Sequence, residues 1–126
     1  MPAQGPEELD LLFAEALNSR DLDALVALYE PGAVLILAGL VATGTQAIRE
    51  ALRAYIAAKP TIGLEVKTVA QSGDVAMTSA RWEVTDPQGA PAGRGRSVEV
   101  CRRRADGTWR FVIDIPDVEW LQRGDS

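Results

Sequence analysis

The chain has 126 residues, of which 47% are hydrophobic and 25% charged, with a formal net charge of −5. This is the composition of one soluble globular domain, 1–126, and no apolar run approaches the roughly 20 residues a membrane helix needs. The acidic balance argues against nucleic acid as a partner, and the absence of histidine removes Ser-His-Asp and Cys-His catalysis and most zinc sites. Any proton transfer must then use Asp, Glu, Tyr, Lys or water.

In chain order, Met1 to Pro6 lacks the basic start and apolar run of a secretory signal, so the expected location is cytoplasmic. Leu9, Leu12, Phe13, Ala16 and Leu17 recur at helical spacing from about Glu7 to Ser19, with Glu7 and Glu8 in the first turn. Asp21 can cap a second, shorter helix carrying Leu22, Leu25, Val26, Leu28 and Tyr29, which Pro31-Gly32 should end. Ala33 to Leu37 is a short apolar run of strand length, and Gly39 to Gly44 reads as a loop with room for a short strand piece. Thr45 is a cap for a third helix, whose stripe is Ile48, Leu52, Tyr55 and Ile56 and whose end is Lys59-Pro60.

From there the pattern changes to strands. Residues 62 to 71 and 74 to 85 are β-rich and separated by Ser72-Gly73, a tight hairpin signal. Asp86 to Arg96 (DPQGAPAGRGR) reads as a flexible hairpin loop, either a plain solvated connection or a lid. Ser97 to Arg104 and Thr108 to Ile115 complete the sheet. Within them Arg102 to Arg104 reads as a solvated rim, and Cys101, the single cysteine, as a small buried residue with no disulfide partner. Arg123-Gly124-Asp125 matches an adhesion tripeptide, a match short enough to arise by chance. Helices first and an antiparallel meander second make the fold α+β, a curved antiparallel sheet wrapped around three N-terminal helices.

The chemistry-bearing stretch is Glu99 to Pro116, EVCRRRADGTWRFVIDIP. If its two strands pair across Ala105-Asp106-Gly107, Glu99 and Asp114 lie on adjacent strands and can share a face. Two acids in one poorly solvated pocket cannot both ionise cheaply, so one holds a proton that the other can accept. Simple alternation complicates this: it sends Trp109, Phe111, Ile113 and Ile115 to the core and Asp114 to solvent.

The order of helix, helix, strand, helix and four long strands resembles the nuclear transport factor two superfamily, the cone-shaped fold of ketosteroid isomerase and SnoaL-like polyketide cyclases. The resemblance is carried by AEALNSRDLDALVALYEPGAV at the opening helices, GTQAIREAL at the third helix and DGTWRFVIDIP at the last hairpin, and spans roughly Leu9 to Pro116. Ketosteroid isomerase uses an Asp base with a Tyr and a protonated Asp as oxyanion donors. On the resemblance, its tyrosine falls on Phe13 and its base on Leu37, leaving only Glu99 as a counterpart of the protonated acid, so a steroid isomerase of the usual type is not implied.

The resemblance implies instead that Asp114 faces a mostly apolar pocket with Glu99, lined by Phe13, Leu35, Leu37, Thr78, Ala80, Trp82 and Val112. It also implies that Trp109, Phe111 and Ile113 lie on the outer face of the sheet, where homodimerisation would cover them. Two readings follow. One is a cofactor-independent acid/base enzyme, an isomerase, cyclase or hydratase using Glu99 and Asp114, with epoxide hydrolysis as a variant whose arginine is not identifiable, since Arg81 has the parity opposite to Trp82. The other is a noncatalytic dimerisation or ligand-binding module of the same fold. No motif implies a metal or other cofactor.

Overall fold

The computed structural model of the chain describes residues 2–37 and 39–118. Arg123-Gly124-Asp125 lies outside them. In chain order the elements are α1 (Pro6–Asn18), α2 (Leu22–Val26), β1 (Tyr29–Leu37), β2 (Leu40–Thr43), α3 (Thr45–Ala57), β3 (Thr61–Ser72), β4 (Val75–Thr85), β5 (Pro91–Arg103) and β6 (Trp109–Ile115). The strands form one curved sheet in the order β2-β1-β6-β5-β4-β3, against which the helices pack. All neighbours are antiparallel except β1 and β6, which run parallel. The sheet is thus mixed rather than antiparallel throughout, because β1 returns to the centre beside the last strand.

Local chemistry sets the ends of the helices. Pro6 occupies the first turn of α1, where its missing N–H costs nothing, and Glu7 and Glu8 face the positive end of the helix. Asn18 then ties the end of α1 to β3: its Nδ2 donates to Ile62 O at 2.9 Å and its Oδ1 accepts from Ile62 N at 2.8 Å. Asp21 caps α2 by accepting from Ala24 N at 3.0 Å. At α3 the cap is Gly44, whose φ of +90° suits glycine, and Thr45 is the first helical residue rather than the cap.

Two boundaries differ from the pattern reading, at Pro31-Gly32 and at 86–96, while the room left for a short strand piece before Gly44 is filled by β2. Pro31-Gly32 does not end a helix; α2 stops at Val26, and Pro31-Gly32 lies inside β1. There the pairing with β6 jumps from Tyr29↔Phe111 to Val34↔Ile113, an irregularity of the kind where a strand tolerates proline. Residues 40–43 form an edge strand paired with Val34 to Leu37. The stretch 86–96 is mostly strand: Asp86 Oδ1 accepts from Gln88 N and Ala90 N, both at 2.9 Å, which closes the turn by residue 90, and β5 begins at Pro91. A lid over 86–96 is therefore not what this stretch forms.

The core lies between the concave face of the sheet and α1 and α3, with Leu9, Leu17, Leu25, Leu35, Ile48, Leu52 and Phe111 fully buried. Ser97, Glu99 and Cys101 on β5, and Ala76, Thr78 and Ala80 on β4, point inward at every second residue. On β6 the alternation breaks. Val100 pairs with Ile113 but Cys101 with Phe111, so Val112 is one extra residue, a β-bulge. It lets Trp109, Phe111 and Asp114 all turn to the interior, at 4%, 1% and 4% exposure. Trp109 and Phe111 are accordingly core residues and cannot form an outer dimer face, whereas Ile113 keeps its outward place. A buried Asp114 requires no outward Trp109 or Phe111.

Candidate functional site

One transverse row of Cα partners crosses the concave face: Thr78 on β4, Glu99 on β5, Asp114 on β6 and Leu35 on β1. Glu99 and Asp114 thus sit directly opposite each other on adjacent strands and share the inner face. Asp10 joins them from α1, 3% exposed, on the same helix stripe as Leu9, Phe13 and Leu17. Sequence reasoning missed Asp10; the available signal was an acid set within that apolar stripe. It also missed Tyr29, which pattern reading places on the second helix. Tyr29 opens β1 instead, packs its ring against Phe111 at 5.1 Å and a tilt of 48°, and donates its hydroxyl to Asp114 Oδ2 at 2.5 Å.

The acids are held from behind by neutral donors. Thr78 Oγ1 donates to Glu99 Oε1 at 2.7 Å, and Tyr29 supports Asp114. Burial raises Asp114 from an ordinary 3.8 to about 8, the charge of Glu99 adds to this, and the Tyr29 hydrogen bond opposes it. Asp10 and Glu99 form a hydrogen-bonded pair whose carboxyls are both raised chiefly by burial, Glu99 further than Asp10. The shared proton therefore resides on Glu99, with Asp10 as the ionised partner at neutral pH. Burial and the Asp114 charge also push the Tyr29 hydroxyl well above its usual range, so it remains a donor.

Asp10, Glu99 and Asp114 border a cavity of about 520 Å³ formed between α1, α3 and the sheet. Phe13, Leu35, Leu37, Tyr55, Leu64 and Trp82 form most of its wall, with Asp10, Ser97, Glu99 and Asp114 as the polar floor. Trp82 is fixed by Nε1 donating to Pro116 O at 2.6 Å. Of the sequence-derived lining set, Phe13, Leu35, Leu37 and Trp82 reach the cavity. Thr78 and Ala80 are buried but do not line it; Thr78 lies behind Glu99. Val112 misses it because it is the bulge residue. Arg81 is exposed on the opposite face from Thr78 and Ala80, so it does not stand between the acids. Among the described residues no Lys or Arg lines the cavity, and no three His, Cys, Asp or Glu side chains are grouped as a metal ion needs.

Comparison with known structures places the fold. A protein of unknown function with a cystatin-like fold from Nostoc punctiforme superposes with a TM-score of 0.80 at 16% identity, covering 88% of this chain and 86% of that one. A ketosteroid isomerase-like protein from Erwinia carotovora atroseptica gives 0.75 at 23%, covering 86% and 89%. A candidate calcium/calmodulin-dependent protein kinase type II association domain from Thiobacillus denitrificans gives 0.76 at 22%, covering 92% and 96%. Proteins bearing such different descriptions share the fold, so the fold alone names no activity. No curated protein matches the chain in sequence. The model of the SnoaL-like domain matches residues 11–112, which spans all the strands but the end of β6 and leaves Asp10 and Asp114 just beyond its two ends. The chain belongs to the SnoaL-like domain family.

Proposed function

We propose that the protein binds a small, mostly apolar molecule in this cavity and moves a proton on it without a cofactor. The observation that carries the proposal is three buried carboxyls, raised unequally by that burial, at the floor of an otherwise apolar cavity. An ionised acid beside a protonated one is the pair that general acid/base catalysis requires. Asp10 serves as the base, Glu99 as the acid, and Asp114, supported by Tyr29, as a second proton donor. Isomerisation, ring closure and hydration all fit this set. Epoxide hydrolysis does not fit as well, because the arginine it calls for is absent from the described lining.

The test is proton exchange into a bicyclic enolisable ketone, 2-tetralone, followed by NMR in D2O. Exchange at the carbon beside the carbonyl should rise above background and fall at least a hundredfold in Asp10→Asn and Glu99→Gln with binding retained. Binding with no exchange in the wild type selects a noncatalytic ligand-binding module instead. Homodimerisation, if it occurs through the outer face, would use the apolar row Val34, Ile113, Val100 and Met77, which pair across four strands and lie opposite in parity to the buried set. Sedimentation of wild type against Met77→Lys measures it.

A further inference from the structure

We propose that the ligand carries a basic nitrogen: an amine or ammonium group against Asp10, Glu99 and Asp114, with its hydrocarbon body between Phe13, Leu37, Tyr55 and Trp82. The inference rests on reading the cavity as a small-molecule site and names the class of molecule.

The first ground is an unmet acceptor. Asp10 is 3% exposed, yet its Oδ2 is buried with no hydrogen-bond partner. Buried carboxylate oxygens are nearly always bonded, and Asp10 is among the residues that border the cavity, so a donor on the occupant is the partner its carboxylate lacks. The neighbouring hydroxyls are committed, Thr78 to Glu99 and Tyr29 to Asp114, and the one proton that Glu99 shares with Asp10 can serve only one of its two oxygens.

The second ground is charge. The described lining holds Asp10, Glu99, Asp114 and Asp117 and no cation, although the chain contains 13 Lys and Arg residues. Arg49, Arg102 and Arg103 form ion pairs on the surface with Asp23, Glu30 and Asp74. An anionic ligand would meet the Asp10 carboxylate with no cation in the described lining to balance it, and a neutral carbonyl or ether would offer Asp10 nothing to accept from. An ammonium group supplies several N–H donors and the missing positive charge together, in a setting where charge-assisted bonds are strong.

The wall supplies the third. Phe13, Tyr55, Trp82 and Phe111 border the same space, and aromatic faces attract an organic cation while packing its hydrocarbon. A bare metal ion is the less suitable cation, since no three ligating side chains are grouped for one among the described residues.

Isothermal titration with three compounds on one skeleton, 2-aminotetralin, 2-tetralol and tetralin-2-carboxylate, tests the inference at pH 7.5. The amine should bind at least tenfold more tightly than the alcohol, and the carboxylate not detectably. Entry of an ammonium favours the ionised acids, so amine binding to the wild type should also release protons, seen as a dependence of the measured heat on buffer ionisation enthalpy. In Asp10→Asn the ratio of amine to alcohol affinity should fall toward one; the proton release on the wild type stands by itself if that variant does not fold. Alcohol binding as tight as the amine overturns the basic nitrogen and leaves the small-molecule site intact. No binding by any of the three overturns both.

Discussion

Replacing Asp114 by Asn isolates what the buried acids cost the fold. The amide still offers an oxygen to the Tyr29 hydroxyl, so the 2.5 Å hydrogen bond can persist while the titrating proton is removed. In the folded chain Asp114 releases its proton only near pH 8, against 3.8 ordinarily. Between those values the unfolded chain binds fewer protons than the folded one, so rising pH favours unfolding. Each pH unit in that window costs the folded wild type about 1.4 kcal/mol, or about 4 kcal/mol from pH 4 to pH 7. Asp114→Asn should therefore match the wild type within about 1 kcal/mol at pH 4 and gain on it steadily, the gap levelling off above about pH 8. Urea unfolding followed by tryptophan fluorescence in half-unit pH steps measures the gap. Parallel stability curves for the two proteins between pH 4 and 8 would refute the placement of a protonated Asp114 in this site.

Three other outcomes test the surroundings of the site. A methyl group at Gly95 would stand 2.8 Å from Trp82 Cζ2, and the ring is held by its bond to Pro116, so Gly95→Ala should cost about 1–3 kcal/mol and alter the near-ultraviolet tryptophan signal; Gly93→Ala, with its nearest ring atom at 3.7 Å, should change neither. The Cys101 thiol is fully buried, donates to Ala76 O and is pushed up to about 12 by burial, so a disulfide reagent should label it only as fast as the chain unfolds. Prompt labelling in native buffer contradicts this. Asn18→Ala removes both bonds to Ile62 and should cost about 1–3 kcal/mol in urea unfolding, with part of the loss recovered in Asn18→Asp, which keeps the acceptor.

Much of the fold was legible because its signals are local. The helical stripes of α1 and α3, the Ser72-Gly73 turn and the Ala105-Asp106-Gly107 turn each specify an element within a few residues. What escaped depends on distant partners. Pro31-Gly32 looks like a helix stop unless one knows that Tyr29 must pair with Phe111 on the last strand. The glycines of Asp86 to Arg96 look like a loop, yet Gly95 sits in β5 because the Trp82 ring, on the paired residue of β4, lies where its side chain would be. The bulge at Val112 is the sharpest case. A strict period of two forces a choice between an inward Asp114 and inward Trp109 and Phe111, and one extra residue permits all three. Glu99 and Asp114 face each other only through that bulge, since the register of Arg103↔Trp109 continued unbroken would set Glu99 against Ile113, and the resemblance rather than the hairpin spacing put both acids in the pocket. Asp10 comes from a helix about ninety residues away in sequence, and nothing local marks it beyond its apolar neighbours.

The same three acids also bind the question of function to that of stability. Apolar residues in the places of Asp10, Glu99 and Asp114 would complete the core at no electrostatic cost, and at neutral pH the acids destabilise the chain through burial that no cation in the described lining offsets. Their neighbours lessen the cost without removing it: Thr78 and Tyr29 bond one oxygen each, and Glu99 shares its proton with Asp10. A molecule that supplies positive charge and N–H donors to the floor would relieve the remainder, since whatever binds only the folded state stabilises it. It follows that the pH dependence of stability and ligand affinity report on one site. The stabilisation conferred by 2-aminotetralin should grow as pH rises from 5 to 8, over the range in which the unliganded chain loses stability, while any stabilisation by 2-tetralol should not.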